Sequence, residues 1–314
     1  ATNITLQAGS VLEVFGGTFY LGDGSNGATV EDVVVRNNYR RPYDGTGQTG
    51  TAWDRNSQSA FFLGHDFTVR NFEAFGAREG VGFSGDAGPG TVDGLKIHWH
   101  HNHNFKFQGR AHDISVTNCW TYNTGGSQEA MFIAECAQDI EITHCTLASE
   151  GITIQDDHND GPSMGATCPD QDGDGQGEHG PAGFEFRNNI LPCVTWLDVF
   201  GDPRSNPNWI FDDNVYLDDW ANFGCRNFYH RHVASDRSFT SLSAWRSWSG
   251  DPCTGDCVRD PESATSKTGA EFVEFAYQDD TTSASYDFDL REGARSIDFG
   301  NPEFAPASGA DIEG

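Results

Sequence analysis

Two groups of residues in this 314-residue chain combine reactive side chains with spacing that chemistry could use. The first is Lys106-Phe-Gln-Gly-Arg110, which sets two cations close together in a chain that has few of either. An ammonium or guanidinium neutralises a carboxylate, and an amine can also take up a proton. Glu135, Asp156 and Asp157 fall in the same part of the pattern. As carboxylates they can pair as acid and base for glycoside cleavage or hold a hard cation. The second group is His98-Trp-His-His-Asn-His103, with His112, Tyr122 and His158 nearby. His101 and His103 fall in the turn after a strand, where imidazole serves as acid, base or metal ligand, or stacks and hydrogen-bonds at a bend.

A further stretch, Cys168-Pro-Asp-Gln-Asp-Gly-Asp-Gly-Gln-Gly-Glu178, repeats carboxylates at alternate positions. Asp170, Asp172, Asp174 and Glu178, with glycines at the tight places, can wrap a calcium ion in hard oxygens. The spacing departs from an EF-hand because Glu178 comes too early and no flanking helices are evident. The competing reading is a solvated acidic loop.

The elements that must position these groups are short strands. Leu95-Lys-Ile-His-Trp-His, Ile114-Ser-Val-Thr-Asn-Cys and Ile140-Glu-Ile-Thr-His-Cys alternate apolar with polar residues. So do Phe105-Lys-Phe-Gln-Gly, Met131-Phe-Ile-Ala-Glu and Ile152-Thr-Ile-Gln-Asp-Asp between them. Period-two alternation predicts strands, and recurrence at an offset predicts a repeat. Val33-Val-Val-Arg-Asn-Asn, Phe67-Thr-Val-Arg-Asn-Phe, Phe184-Glu-Phe-Arg-Asn-Asn and Trp209-Ile-Phe-Asp-Asp-Asn extend the first set. The seven segments share a fifth column of Asn37, Asn71, Trp99, Asn118, His144, Asn188 and Asp213. Third positions Val69, Ile97, Val116 and Ile142 are separated by 28, 19 and 26 residues, and the step from Ile142 to Phe186 is 44. That long step predicts an inserted loop over 158–183. Cys119 and Cys145 share one column on neighbouring segments, which predicts an inward stack or a disulfide.

These segments resemble the rungs of right-handed parallel β-helix proteins of the pectate-lyase-like superfamily, and the resemblance covers roughly residues 28–220. It implies an all-β, single-stranded solenoid forming one domain over 1–314. Residues 1–27 then cap the first rung, and 221–314 form an irregular C-terminal cap. The outward set on one strand family becomes Gly82, Ser84, Lys106, Gln108, Phe132, Ala134, Thr153 and Gln155. The resemblance further implies a calcium-dependent polysaccharide lyase or epimerase acting on a uronate glycan. In that case Lys106 is the base, Arg110 meets the substrate's charge, and Glu135 and Asp156 hold calcium. Gln108, Trp120, Tyr122, Phe132, Gln155 and His158 are the expected sugar contacts. The Asp156-Asp157 doublet is similar to that of polygalacturonase-like glycosidases, but their Asn-Thr-Asp, Gly-His-Gly and Arg-Ile-Lys companions are absent. The fold also hosts non-catalytic glycan-binding and structural proteins, so a hydrolase and a binding module stand as alternatives.

Lys and Arg number 19 against 47 Asp and Glu, a formal charge of −28. Nucleic acid is excluded as a partner because its recognition requires a basic footprint. An anionic polysaccharide must then be met by local cations or by bound metal. No apolar run is long enough to span a bilayer. Eight Cys, none in a Cys-x-x-Cys pair, point to an oxidising compartment and a secreted, monomeric protein. An opening on Ala1-Thr-Asn-Ile fits a processed chain.

Overall fold

In a computed structural model of the chain, the described residues are 5–14, 19–37, 58–75, 79–100, 103–124, 131–134, 136–148, 152–155, 182–191, 210–217, 229–230, 237–238, 241–247, 258–259, 263–266, 272–274 and 287–290. They are nearly all β. The chain alternates between two parallel sheets. The first runs, neighbour to neighbour, through Thr5–Val14, Thr29–Asn37, Phe67–Phe75, Gly90–His100, His112–Thr124, Gln138–Thr143, Ala182–Arg187, Ile210–Asp212 and Val258–Arg259. It continues past a bend through Thr146–Ala148, Ile190–Leu191, Val215–Leu217 and Ala264–Ser266. The second sheet runs through Phe19–Leu21, Gln58–Phe62, Glu79–Phe83, Phe105–Phe107, Met131–Ala134 and Ile152–Gln155. Two short antiparallel pairs and the helix Leu242–Arg246, capped by Ser241, lie in the C-terminal part. No helix among the described residues is long and apolar enough to cross a membrane.

The core lies between the sheets and is built from columns of like side chains. Leu21, Phe62, Phe83, Phe107 and Ile133 pair in register and bury inward from the second sheet. The Phe62–Phe83 and Phe83–Phe107 rings stack at 5.3 and 5.0 Å. Offset stacking of this kind adds to the energy of burial. In the first sheet the facing column is Val30, Val69, Val92, Val116, Ile142, Phe186 and Phe211. Its sequence steps are 39, 23, 24, 26, 44 and 25 residues, which are more even than the intervals expected from the Ile97 alignment.

The long strands of the first sheet bend at one residue, and this residue sets the register. Asp32, Asn71, Gly94, Asn118, His144, Asn188 and Asp213 fall at equivalent places, and all have positive φ between 48° and 77°. Short polar side chains and glycine tolerate this conformation, whereas apolar and branched ones resist it. The expected bend column is therefore right at Asn71, Asn118, His144, Asn188 and Asp213 and wrong at two places. Asp32 replaces Asn37, and Gly94 replaces Trp99. His100 accordingly pairs with Thr124, while Leu95 is the residue that pairs with Cys119.

The inward column just after the bend changes chemistry along the sheet. It reads Val33, Phe72, Leu95, Cys119, Cys145, Asn189, Asn214 and Ser263, all buried. Cys119 and Cys145 form a disulfide. Beyond it the side chains hydrogen-bond from level to level. The Cys145 N–H donates to Asn189 Oδ1 at 2.9 Å, the Asn189 N–H to Asn214 Oδ1 at 3.0 Å, and the Asn214 N–H to Ser263 Oγ at 2.8 Å. The same amides donate to the carbonyls of Ile142 and Phe186 at 2.9 and 3.0 Å. Backbone groups that the bend removes from the sheet are thereby paired inside the core.

Candidate functional site

Lys106 occupies the middle of Phe105–Phe107, between two phenylalanines that point into the core, so its side chain leaves the outer face of the second sheet. Its register partners give the outer column in order, Tyr20, Phe61, Gly82 and Lys106, and the register continues through positions 132 and 153. Gly82, the register partner of Lys106 on the preceding strand, is itself buried. Lys106 Nζ lies 3.8 Å from Glu79 Oε2, with side-chain exposures of 19% and 10%. Sequence reasoning missed Glu79. It sits at the first residue of its strand, before alternation is established, and only the pairing of Val81 with Phe105 reveals its place.

The flanking groups are tied to the same levels. Gln108 Nε2 donates to Ser84 Oγ at 3.2 Å, and the Arg110 N–H donates to the Gly85 carbonyl at 2.5 Å. Gly85 and Gly109 both turn with positive φ, and a Cβ on Gly109 would come within 2.8 Å of the Gly85 nitrogen. Glycine at this turn lets two successive levels approach closely and holds Arg110, which is exposed, next to the Gln108–Ser84 pair. His103 is buried, and its carbonyl accepts from the Gly80 N–H at 2.8 Å. Lys106, Gln108, Arg110 and His103 thus come from one short segment around an interior strand of the sheet, His103 before it and Gln108 and Arg110 after it.

Trp120 does not join them. It lies on the first sheet, where the Lys96 ammonium sits 5.8 Å from its ring centroid, a cation–π contact. Tyr122 belongs to the same strand as Trp120, in register with His98 and Ala148. Phe132 and Gln155 lie on strands of the second sheet, in register with Lys106 and Ala134 respectively. His101, Glu135, Asp156, Asp157, His158, Asp170, Asp172, Asp174 and Glu178 lie outside the described residues. Among the described residues, no group of three or more His, Cys, Asp and Glu side chains is arranged to hold a metal.

The first sheet carries charge of its own. The Arg187 guanidinium pairs with Glu185 and lies 3.8 and 3.6 Å from Asp212 and Asp213. This network is mostly shielded and reads as neutralisation of three carboxylates crowded on adjacent levels. Ser115 Oγ donates to the Glu141 carboxylate at 3.0 Å. At the other turn, burial and then the Asp113 carboxylate push the Asp139 carboxyl above its ordinary value, and His112 opposes them. Burial pulls the His144 imidazole below its ordinary value. Its Nε2 lies 3.3 Å from the Asn188 amide, and its buried Nδ1 has no hydrogen-bond partner among the described residues. No family model, no curated protein and no solved structure matches the chain.

Proposed function

We propose that the chain winds as a right-handed parallel β-helix and acts on an extended uronate-containing polysaccharide as a secreted lyase, with Lys106 at the centre of the site. The alternation of strands between two parallel sheets up to Ile152–Gln155, and the continued parallel pairing of the first sheet beyond it, support the winding. The observation that carries the activity is the pairing of Lys106, which leaves the outer face of the second sheet, with the buried Glu79 carboxylate. In β-elimination, Lys106 Nζ takes the proton from C5 of the uronate. The C–H electrons form the C4–C5 double bond, the C4–O4 bond breaks, and the leaving oxygen takes a proton from solvent. The Glu79 carboxylate stabilises the ammonium that forms, and Arg110 meets the substrate carboxylate. Calcium, when bound by the acidic residues of the 158–183 loop or by Glu135 and Asp156, supplies further positive charge for that carboxylate.

The ion pair also favours a second reading, a glycan-binding β-helix without cleavage, because an ammonium held by a carboxylate is already protonated and recognises a substrate carboxylate without acting as a base, whereas cleavage requires Lys106 to react as the neutral amine. One assay separates them. The protein is incubated with alginate, pectate, glucuronan and glycosaminoglycans, with calcium or with chelator, and the ultraviolet absorbance of unsaturated uronate is followed. A calcium-dependent rise that Lys106→Ala abolishes is the expected result. A flat trace with bound polymer establishes the binding module, and release of reducing ends without absorbance establishes a hydrolase.

A further inference from the structure

We propose that Tyr20 and Phe61 form a sugar-stacking platform that receives the acidic glycan two and three levels before Lys106; the inference rests on the glycan reading above. The placement follows from strand parity. Leu21 is buried and Phe19 packs against the core, so Tyr20 between them faces outward. Ala60 and Phe62 are both fully buried, so Phe61 does the same. Tyr20 pairs with Phe61, Phe61 with Gly82, and Gly82 with Lys106, a single unbroken outer column.

The two rings are arranged as a surface. Their centroids lie 6.0 Å apart with planes inclined by 24°. Tyr20 is 59% exposed, the one large apolar side chain among the described residues left so open to solvent. Gly22 leaves room for that ring, because a Cβ there would sit 3.2 Å from Tyr20 Cε1. An aromatic pair on the outside of a chain with a charge of −28 is out of keeping with its surroundings.

The chemistry that fits this column is a pyranose polymer bearing carboxylates. The C–H face of a sugar ring is flat and apolar and lies on an aromatic ring, while its hydroxyls remain in water. Levels of a parallel sheet are spaced by about 4.8 Å, close to the length of one sugar in an extended chain. A glycan lying along the column therefore meets Tyr20 and Phe61 and then, past the buried Gly82, reaches Lys106. Lys106 and the exposed Arg110 supply the positive charge that the surrounding acidic surface withholds.

The test is calorimetric binding of polygalacturonate and alginate oligosaccharides, as disaccharides and as hexasaccharides, to the wild type, Tyr20→Ala, Tyr20→Phe and Lys106→Ala. The Tyr20 ring lies outside the core, so its removal leaves the fold intact, checked by circular dichroism. Tyr20→Ala should weaken hexasaccharide binding roughly three- to tenfold, the strength of one stacking contact. It should leave disaccharide binding unchanged, and Tyr20→Phe should restore the loss. If Tyr20→Ala binds hexasaccharide as the wild type does while Lys106→Ala loses it, the platform is wrong and the Lys106 site stands. If the wild type binds neither series, the glycan reading fails and the platform with it. A dimer that Tyr20→Ala dissociates, with glycan affinity unchanged, also overturns the platform by identifying the face as a contact between two copies of the chain.

Discussion

Replacing Asn189 by alanine should destabilise the protein severely, and the size of the loss follows from its hydrogen bonds. The side chain is almost fully buried; it accepts from the Cys145 N–H at 2.9 Å and donates to the Ile142 carbonyl at 2.9 Å. Alanine leaves both backbone groups without partners in a dry core. Each such group costs about 1–3 kcal/mol, so the pair costs roughly 4 kcal/mol before any cavity is counted. Native domains have a net stability of only about 5–15 kcal/mol. Urea unfolding followed by far-ultraviolet circular dichroism measures the loss. Asn189→Leu is the informative companion, since it fills the space and supplies no hydrogen bond. If the amide's pairing is what matters, leucine should be as damaging as alanine. Wild-type stability in Asn189→Leu, or a loss below about 1 kcal/mol in Asn189→Ala, would refute the reasoning and show that water or relaxation satisfies the freed groups.

Three further outcomes are expected. His144 has a native pKa below the ordinary 6.5, so the unfolded chain binds more protons in the window just below that value. Stability should therefore fall as the pH drops through this window, as thermal melts at stepped pH would show. His144→Asn removes that dependence, places a residue better suited to φ 56° at the bend, and should add about 1 kcal/mol. The Cys119–Cys145 disulfide closes a loop of sequence separation 26, worth about 3.5 kcal/mol in the chain-entropy estimate. The double variant Cys119→Ala/Cys145→Ala should lower the urea midpoint accordingly, and an unchanged midpoint would show that the unfolded chain gains little freedom. Gly94→Ala forces a side chain into φ 77° with its Cβ 2.7 Å from Asn71 Oδ1, and should cost about 2 kcal/mol in the same assay.

Much of the fold could be read from alternation, and the errors have one physical source. Each long strand alternates twice, before and after a bend whose left-handed residue resets the parity. Where the bend is asparagine, as at Asn71, Asn118 and Asn188, the sequence marks it. At Asp32 and Gly94 it does not. There Val33-Val-Val and Leu95-Lys-Ile, which follow the bend, resemble segments that precede it. The shared column of Cys119 and Cys145 was legible because both strands were aligned correctly. At the site, Lys106 and Gln108 could be placed from the flanking Phe105 and Phe107. Glu79 could not, because a residue at a strand's first position has no parity until its neighbour is known. Tyr20 and Phe61 were obscured for another reason. A segment read as an end cap gives no cause to ask which way its aromatics point, and the polar stretch before residue 58 hides that the two strands pair.

The buried column that passes from Leu95 through the disulfide to Asn189, Asn214 and Ser263 also bears on how the chain finds its alignment. Stacked apolar positions are nearly interchangeable, so a slip by one strand among Val33, Phe72 and Leu95 exchanges one hydrocarbon for another and is weakly opposed. The same slip further along places a carboxamide against leucine or a thiol against phenylalanine, and strands backbone groups that only the correct neighbour can satisfy. The C-terminal half of the column thus acts as a key that admits a single threading, while the N-terminal half supplies adhesion without discrimination. Misthreaded forms of this protein should accordingly carry their errors toward the beginning of the chain.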